Sequence, residues 1–293
     1  MLSDNLKSYL HLHLIVFVWG FTAVLGALIS LDALPLVWYR MALAVVFIAL
    51  YIWQQKIPLR LPRKVLLQLL VAGIVIALHW FTFFRAIKVS NVSVTLACLS
   101  TGAFFTSFIE PIWLRTKIVW YEVFFGLIVI GGLCLIFRVE SHYLEGILLA
   151  LSSAFLSATF AVINSRFAKT YNPTTISFYE LIGGVLFFTL LLAMTQSFDA
   201  KFFQVSANDW FYLAILSSFC TAYAFIASVK VMKFLSPYTV MLTINLEPIY
   251  GIILAVIVFG EKEKMSTQFY IGAVIILVTV ILNGWLKYTR DKN

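Results

Sequence analysis

The chain has 293 residues, of which 62% are hydrophobic types and only 12% are charged, with a formal net charge of +8. That charged share is about half of what a globular domain carries, too little to cover a soluble surface. The surplus positive charge is spread over short loops with no basic arm or Arg-rich segment, which excludes nucleic acid as the partner.

Apolar runs long enough to cross a bilayer as helices recur from end to end. Breaks at charged, Pro and Gly positions predict ten such helices, an all-α integral membrane protein: 12–29, 35–53, 65–84, 92–114, 118–137, 146–165, 174–194, 210–229, 237–260 and 268–286. The first run is long for a signal-peptide core and has no A-x-A-like cleavage site, so the N-terminus is expected to be retained. The longest connection, 195–209, is too short to fold alone. Whatever this chain does is therefore expected to happen within the bilayer.

An even number of spans puts both termini on one side. That side collects 14 Lys and Arg (Lys7, Lys56, Arg60, Arg63, Lys64, Arg115, Lys117, Arg166, Lys169, Lys230, Lys233, Lys287, Arg290, Lys292). The other side has six (Arg85, Lys88, Arg138, Lys201, Lys262, Lys264). The bias assigns both termini to the cytoplasm; a bacterial-type inner membrane is the setting expected for the function argued below. Trp53, Trp120, Trp210 and Trp285 fall at span ends, where interfacial anchors belong.

Polar groups within the spans need a partner, a water-filled cavity or a task. Trp19, mid-span beside Gly20, leans towards the interior, because glycine permits close helix approach. Arg40 in span 2 and Glu180 in span 7 each sit about 9 Å in, but from opposite faces. A direct pair is not expected, and each is a candidate for a gate on its own side or for binding local polar groups. His79, next to Trp80, fits either a proton relay or a hydrogen-bonded packing role. Ser100 and Thr101 lie mid-span in helix 4. Glu110 and Glu122 lie near span ends and are explained by snorkelling, Glu110 towards Arg115. Ala150, Ser153, Ala154, Ser157, Ala158 and Ala161 form a small-residue packing face in span 6, with Asn164 near its inner end. Tyr223 adds a hydroxyl in span 8.

Glu247 stands apart. It is the eleventh residue of a 24-residue span, and Pro248 after it cannot donate to the carbonyl of Ile244. Asn245 adds a second polar group. A carboxylate beside an opened helix at mid-depth is a candidate ligand or proton site, with a hydrogen bond to a neighbouring helix as the structural alternative. Cys98, Cys134 and Cys220 are too far apart for a close metal pair and read as packing residues.

The ten spans divide into five and five. Ala86-Ile87-Lys88 is similar to Val231-Met232-Lys233 at an offset of 145, and Glu122–Gly126 is similar to Gln268–Gly272 at an offset of 146. Pro35 and Pro173 open spans 2 and 7. An odd number of spans per half requires the second to be inverted, giving halves 1–138 and 139–293 with a site expected at midplane between them.

Trp19-Gly20 in span 1, Ala86-Ile87-Lys88 closing span 3, Leu246-Glu247-Pro248 in span 9 and Phe259-Gly260-Glu261 ending it are, in that order, similar to the EamA-like branch of the drug/metabolite transporter superfamily, over about residues 10–288. The resemblance implies transport of small metabolites, often amino acids or related compounds and frequently outward, through a central cavity lined by spans 1, 3, 4, 6, 8 and 9. One departure is that Leu99-Ser100-Thr101-Gly102 stands where such proteins more often carry Ser-Pro. The helix break of the first half is then expected there or displaced towards Glu110-Pro111.

The sequence has no P-loop, H-E-x-x-H pair, G-x-S-x-G elbow or selectivity-filter loop, so no cofactor, metal or ATPase partner is implied. The leading expectation is a secondary transporter working by alternating access. Glu247 would bind a substrate ammonium, a proton or each in turn. Trp19, Trp80 and Tyr223 would form the apolar wall, and Ser100, Thr101 and Asn245 would supply hydrogen bonds. An intramembrane enzyme acting on lipid-linked substrates, and a passive uniporter or channel of the same fold, are the alternatives.

Overall fold

The computed structural model describes residues 4–115, 117–139, 141–200 and 202–290. Of the cations counted above, Lys201 and Lys292 lie outside these residues, as do the side chains of Arg138, Lys287 and Arg290. Every regular element among the described residues is helical, as expected of a chain whose backbone polar groups must be satisfied within each segment. The helices are α1 (Asp4–Leu28), α2 (Ala33–Gln55), α3 (Arg63–Val89), α4 (Val92–Leu99), α5 (Gly102–Leu114), α6 (Trp120–Val139), α7 (Leu144–Ala168), α8 (Pro173–Met194), α9 (Ala207–Ser217), α10 (Ala224–Val231), α11 (Pro237–Ile244), α12 (Glu247–Phe259) and α13 (Thr267–Arg290).

Taken as continuous rods, α4–α5, α9–α10 and α11–α12 join α1, α2, α3, α7 and α8. Together they make eight helices long and apolar enough to cross a membrane. The predicted spans 118–137 and 268–286 fall on α6 and α13, which contain the shorter apolar stretches Trp120–Ile136 and Thr267–Asn283. This is a multi-pass integral membrane protein. Trp53, Trp120, Trp210 and Trp285 are all exposed.

Local signals set the helix ends. Asn91, Asn172, Ser206 and Ser236 each accept a first-turn N–H, a contact that typically contributes about 1 kcal/mol. Pro173 and Pro237 open their helices, where a missing N–H costs nothing.

Three of the rods are broken. The first-half break lies at Ser100–Thr101, not towards Glu110-Pro111: Pro111 sits inside α5 without ending it. The break needs no proline, because the Thr101 backbone N–H donates to the carbonyl of Cys98 and the Ser100 and Thr101 hydroxyls bond back to Leu96 and Cys98. The second break, at Asn245–Leu246, precedes Glu247-Pro248. Both broken rods consist of 8 residues followed by 13. In the middle of the third rod, Ser218–Tyr223 is π-helical, with Thr221 Oγ1 donating to the carbonyl of Leu216 five residues back.

Packing relates the two halves. The α3 helix runs along α7 and α8, α1 along α12 and α10, α2 along α8, and α6 along α13. The broken rods lie side by side, α4 on α12 and α5 on α11, and each fixes the start of the other. Glu263, just beyond α12, accepts from the backbone N–H of Val92 (2.9 Å) and Ser93 (2.9 Å) and from the Ser93 hydroxyl (2.8 Å). Glu110 in α5 accepts from the backbone N–H of Tyr238 at 2.8 Å. Glu110 is thus a helix cap rather than a snorkelling partner of Arg115. Glu122 is likewise buried, lining a small cavity with Ser100, Tyr238, Thr279 and Asn283 among apolar neighbours.

Charged acceptors of buried backbone donors contribute about 1.5–3 kcal/mol each. Glu263→Ala is therefore predicted to lower the thermal unfolding midpoint of purified protein clearly below that of an exposed-acid control, Glu145→Ala. Equal midpoints would refute the capping role.

The tightest helix crossing is α3 on α8. A Cβ on Gly73 would stand 2.0 Å from the carbonyl oxygen of Glu180, and one on Gly183 would stand 2.3 Å from that of Leu70. The predicted small-residue face of span 6 is buried at Ala150, Ser153, Ala154, Ala158 and Ala161. Cys98 and Cys220 are buried and Cys134 is exposed, all as free thiols.

Candidate functional site

Helices α1, α2, α3, α7, α10, α11 and α12, with Leu99 at the end of α4, converge on one cavity of about 70 Å³. The helices implied by the resemblance all contribute, and span 2 adds Arg40. Of the residues singled out from sequence, Trp19, Arg40, His79, Trp80 and Glu247 line it.

Arg40 is 1% exposed. Its Nε donates to Thr221 Oγ1 at 2.6 Å, and its guanidinium carbon lies 4.0 Å from the Trp80 ring centroid and 5.4 Å from that of Phe84. Stacking of this kind suits a planar, weakly hydrated cation. Nη1 is buried and has no hydrogen-bond partner among the described residues. Glu247 is 6% exposed, in the first turn of α12, and no described residue donates to its carboxylate. Ile244, whose carbonyl Pro248 leaves without its helical donor, lines the same cavity. One buried guanidinium and one buried carboxyl group thus share a wall of aromatic rings.

The remaining wall is held by hydrogen bonds and stacking. His79 Nδ1 donates to the carbonyl of Ser153 at 2.9 Å, since a carbonyl can only accept, and Ser153 Oγ donates back to the His79 carbonyl at 3.0 Å. Trp19 Nε1 donates to the carbonyl of Cys220 at 3.1 Å. Gly20 lets α1 approach α12 closely: a Cβ there would lie 2.7 Å from that of Tyr250. Phe225 stacks on Phe160 (centroids 5.4 Å apart) and meets Trp80 edge-on at 5.6 Å. Nothing in the sequence distinguished Phe160 and Phe225 from other aromatics of apolar spans.

The other expected residues lie elsewhere. Tyr223 is 43% exposed and hydrogen-bonds His11 at 2.9 Å, because the π-helical turn that points Thr221 at Arg40 directs Tyr223 outwards. Ser100 lines separate cavities, one of them with Pro248, and Thr101 is spent on the helix break. Asn245 is buried in the break before α12 with both amide atoms unpartnered, outside the cavity lining. Arg40, a gate candidate from sequence, stands in the central cavity, which a long side chain from the eighth residue of α2 reaches. Glu180 is fully buried and accepts from Asn164 Nδ2 at 3.3 Å.

The EamA-like transporter family matches the chain twice, over residues 6–138 and 144–285. The chain belongs to the EamA-like transporter family. No curated protein matches it in sequence. A solved crystal structure of a protein with 16% identity superposes on this EamA-like chain with a TM-score of 0.71, covering 97% of it and 99% of the other chain, which establishes the shared fold. Membership and fold make the molecule a membrane transporter of small molecules, and the cavity at the centre of this EamA-like transporter is lined by both ionisable and aromatic side chains.

Proposed function

We propose that this transporter carries small zwitterionic metabolites, amino acids foremost, by alternating access, with net movement outward. The observation that carries the reading is the placing of Arg40 and Glu247 in one cavity, each with unused hydrogen-bonding capacity. An α-carboxylate suits the free Nη1 of Arg40, in charge-assisted hydrogen bonding. An α-ammonium suits Glu247 and the opened Ile244 carbonyl. The rings of Trp19, Trp80, Phe160 and Phe225 are left for an apolar side chain.

The halves 1–138 and 139–293 are then two inverted five-helix repeats rocking about this site, with both termini cytoplasmic in a bacterial inner membrane. Three facts support the repeat. The broken rods have matching lengths at an offset of 145. The rods cap each other reciprocally. The packing of α1 on α12 is matched by that of α7 on α4 and α5. The 14-to-6 division of loop cations supports the orientation.

Counterflow into proteoliposomes loaded with a mixed pool of amino acids tests the proposal. Labelled neutral amino acids are expected to accumulate and to be displaced by other zwitterions. Accumulation of monovalent amines or carboxylates alone, or no exchange by folded protein, would overturn it.

A further inference from the structure

A second cavity, larger than the central one at about 390 Å³, opens on the outside of the bundle between α1, α2 and the α9–α10 rod. Its walls are apolar along most of their length, including Phe47 and Ile226, while His11, Tyr51, Tyr223 and Lys230 bring polar atoms to it. No Asp or Glu lines it among the described residues. Lys230 and Tyr223 are exposed, and His11 Nε2 and Tyr223 OH hydrogen-bond across the wall at 2.9 Å.

Length and charge together identify an occupant. From Ser218 to Lys230 the groove follows thirteen residues of one rod, twelve steps or about 18 Å at 1.5 Å per residue. One leaflet of a bilayer has a hydrocarbon depth of about 15 Å. The cation stands at the end of the rod, on the side that collects the Lys- and Arg-rich loops, and the apolar wall runs inward from it. We propose that this groove binds a single anionic phospholipid of that leaflet. The phosphate sits on Lys230, within reach of the His11–Tyr223 pair, and one acyl chain lies along Phe47 and Ile226. A zwitterionic lipid fits the wall equally well but presents its own cation to Lys230, so selectivity rests on charge.

The site connects to the central cavity through a single turn. The π-helical segment Ser218–Tyr223 faces the groove with Tyr223 and holds two residues of the central cavity, Arg40 through Thr221 and Trp19 through the Cys220 carbonyl. A lipid seated against Tyr223 therefore braces the turn that positions the Arg40 guanidinium.

Native mass spectrometry of the full chain, released from micelles containing equal phosphatidylglycerol and phosphatidylcholine of matched chains, tests the assignment. The protein is expected to retain one phosphatidylglycerol at least five-fold in preference to phosphatidylcholine. Lys230→Gln, a change at an exposed side chain, is expected to abolish the preference. Lys169→Gln, an exposed cation on the same side but away from the groove, is expected to leave it intact. Ile226→Trp, which fills the apolar wall, is expected to lower retention of both lipids. Equal retention of the two headgroups by the unaltered chain, or an unchanged preference in Lys230→Gln, would overturn the proposal.

Discussion

Arg40→Met and Glu247→Gln are each expected to reduce carriage of a neutral amino acid by about thirty-fold or more, with substrates that lack one charge responding to only one of the two changes. Truncating one partner of a buried, hydrogen-bonded charge pair costs about 2–5 kcal/mol, and about 2 kcal/mol already corresponds to thirty-fold in binding. An amine without a carboxylate should lose carriage in Glu247→Gln and not in Arg40→Met, and a carboxylate without an amine should show the reverse. This crossed pattern separates recognition from damage to the fold, because a misfolded carrier loses all substrates together. Radiolabelled counterflow with matched amine, acid and amino acid measures it. Parallel loss of all three in either variant would remove that residue from substrate recognition. Arg40 is also gripped by Thr221, Trp80 and Phe84, so Arg40→Met should lower the unfolding temperature as well.

The largest stability effect is expected at the α3–α8 crossing. In Gly73→Ala the new methyl would stand 2.0 Å from the Glu180 carbonyl oxygen and 2.9 Å from its carbonyl carbon. These are backbone atoms, which no rotamer change can move aside. Overpacking costs about 1–3 kcal/mol where side chains can yield, and a backbone clash in a helix pair belongs at or above the top of that range. Gly131→Ala supplies the contrast. Gly131 is exposed in α6 with nothing within 4 Å of the added methyl, and alanine favours the helix by about 1 kcal/mol. Thermal unfolding monitored by tryptophan fluorescence should show the first far below the parent chain and the second at or above it. Similar midpoints for the two variants would mean that the crossing relaxes without cost.

Much of this architecture is written in hydropathy. Apolar runs bounded by Lys, Arg, Pro and Gly locate most rod ends within about five residues, the start of α1 lying eight residues earlier than expected, because a bilayer leaves the backbone no other spanning choice. Glu247-Pro248 also announces itself, since an acid and a missing N–H together in mid-span have no ordinary packing explanation. What could not be read is which side of a rod faces which neighbour. The depth of Arg40 along α2 suggested a gate, but its reach across to Trp80 and Thr221 depends on how α2 packs against α3 and on a π-helical turn that no residue pattern marks. The same turn sends Tyr223 outwards. The choice between Ser100–Thr101 and Glu110-Pro111 for the first-half break stayed open for a related reason: the break is made by Ser100 and Thr101 hydroxyls bonding back to their own helix, and those residue types occur in unbroken spans too. Glu110 read as a snorkelling acid because its partner, the first turn of α11, is more than a hundred residues away in sequence, and nothing local marked Glu263 as the cap of α4 for the same reason.

Those two acids constrain how the molecule can move. The antiparallel broken rods form a pair of struts clamped at both ends. Sliding one past the other by a helical turn, about 5.4 Å, would tear both clamps open at once and leave two carboxylates without their backbone donors. Bending at Ser100–Thr101 and Asn245–Leu246 disturbs far fewer bonds, since the regular ladder is already interrupted there. The alternating access proposed above would then bend the struts at these two breaks, next to Glu247, rather than at the loops on the membrane surface.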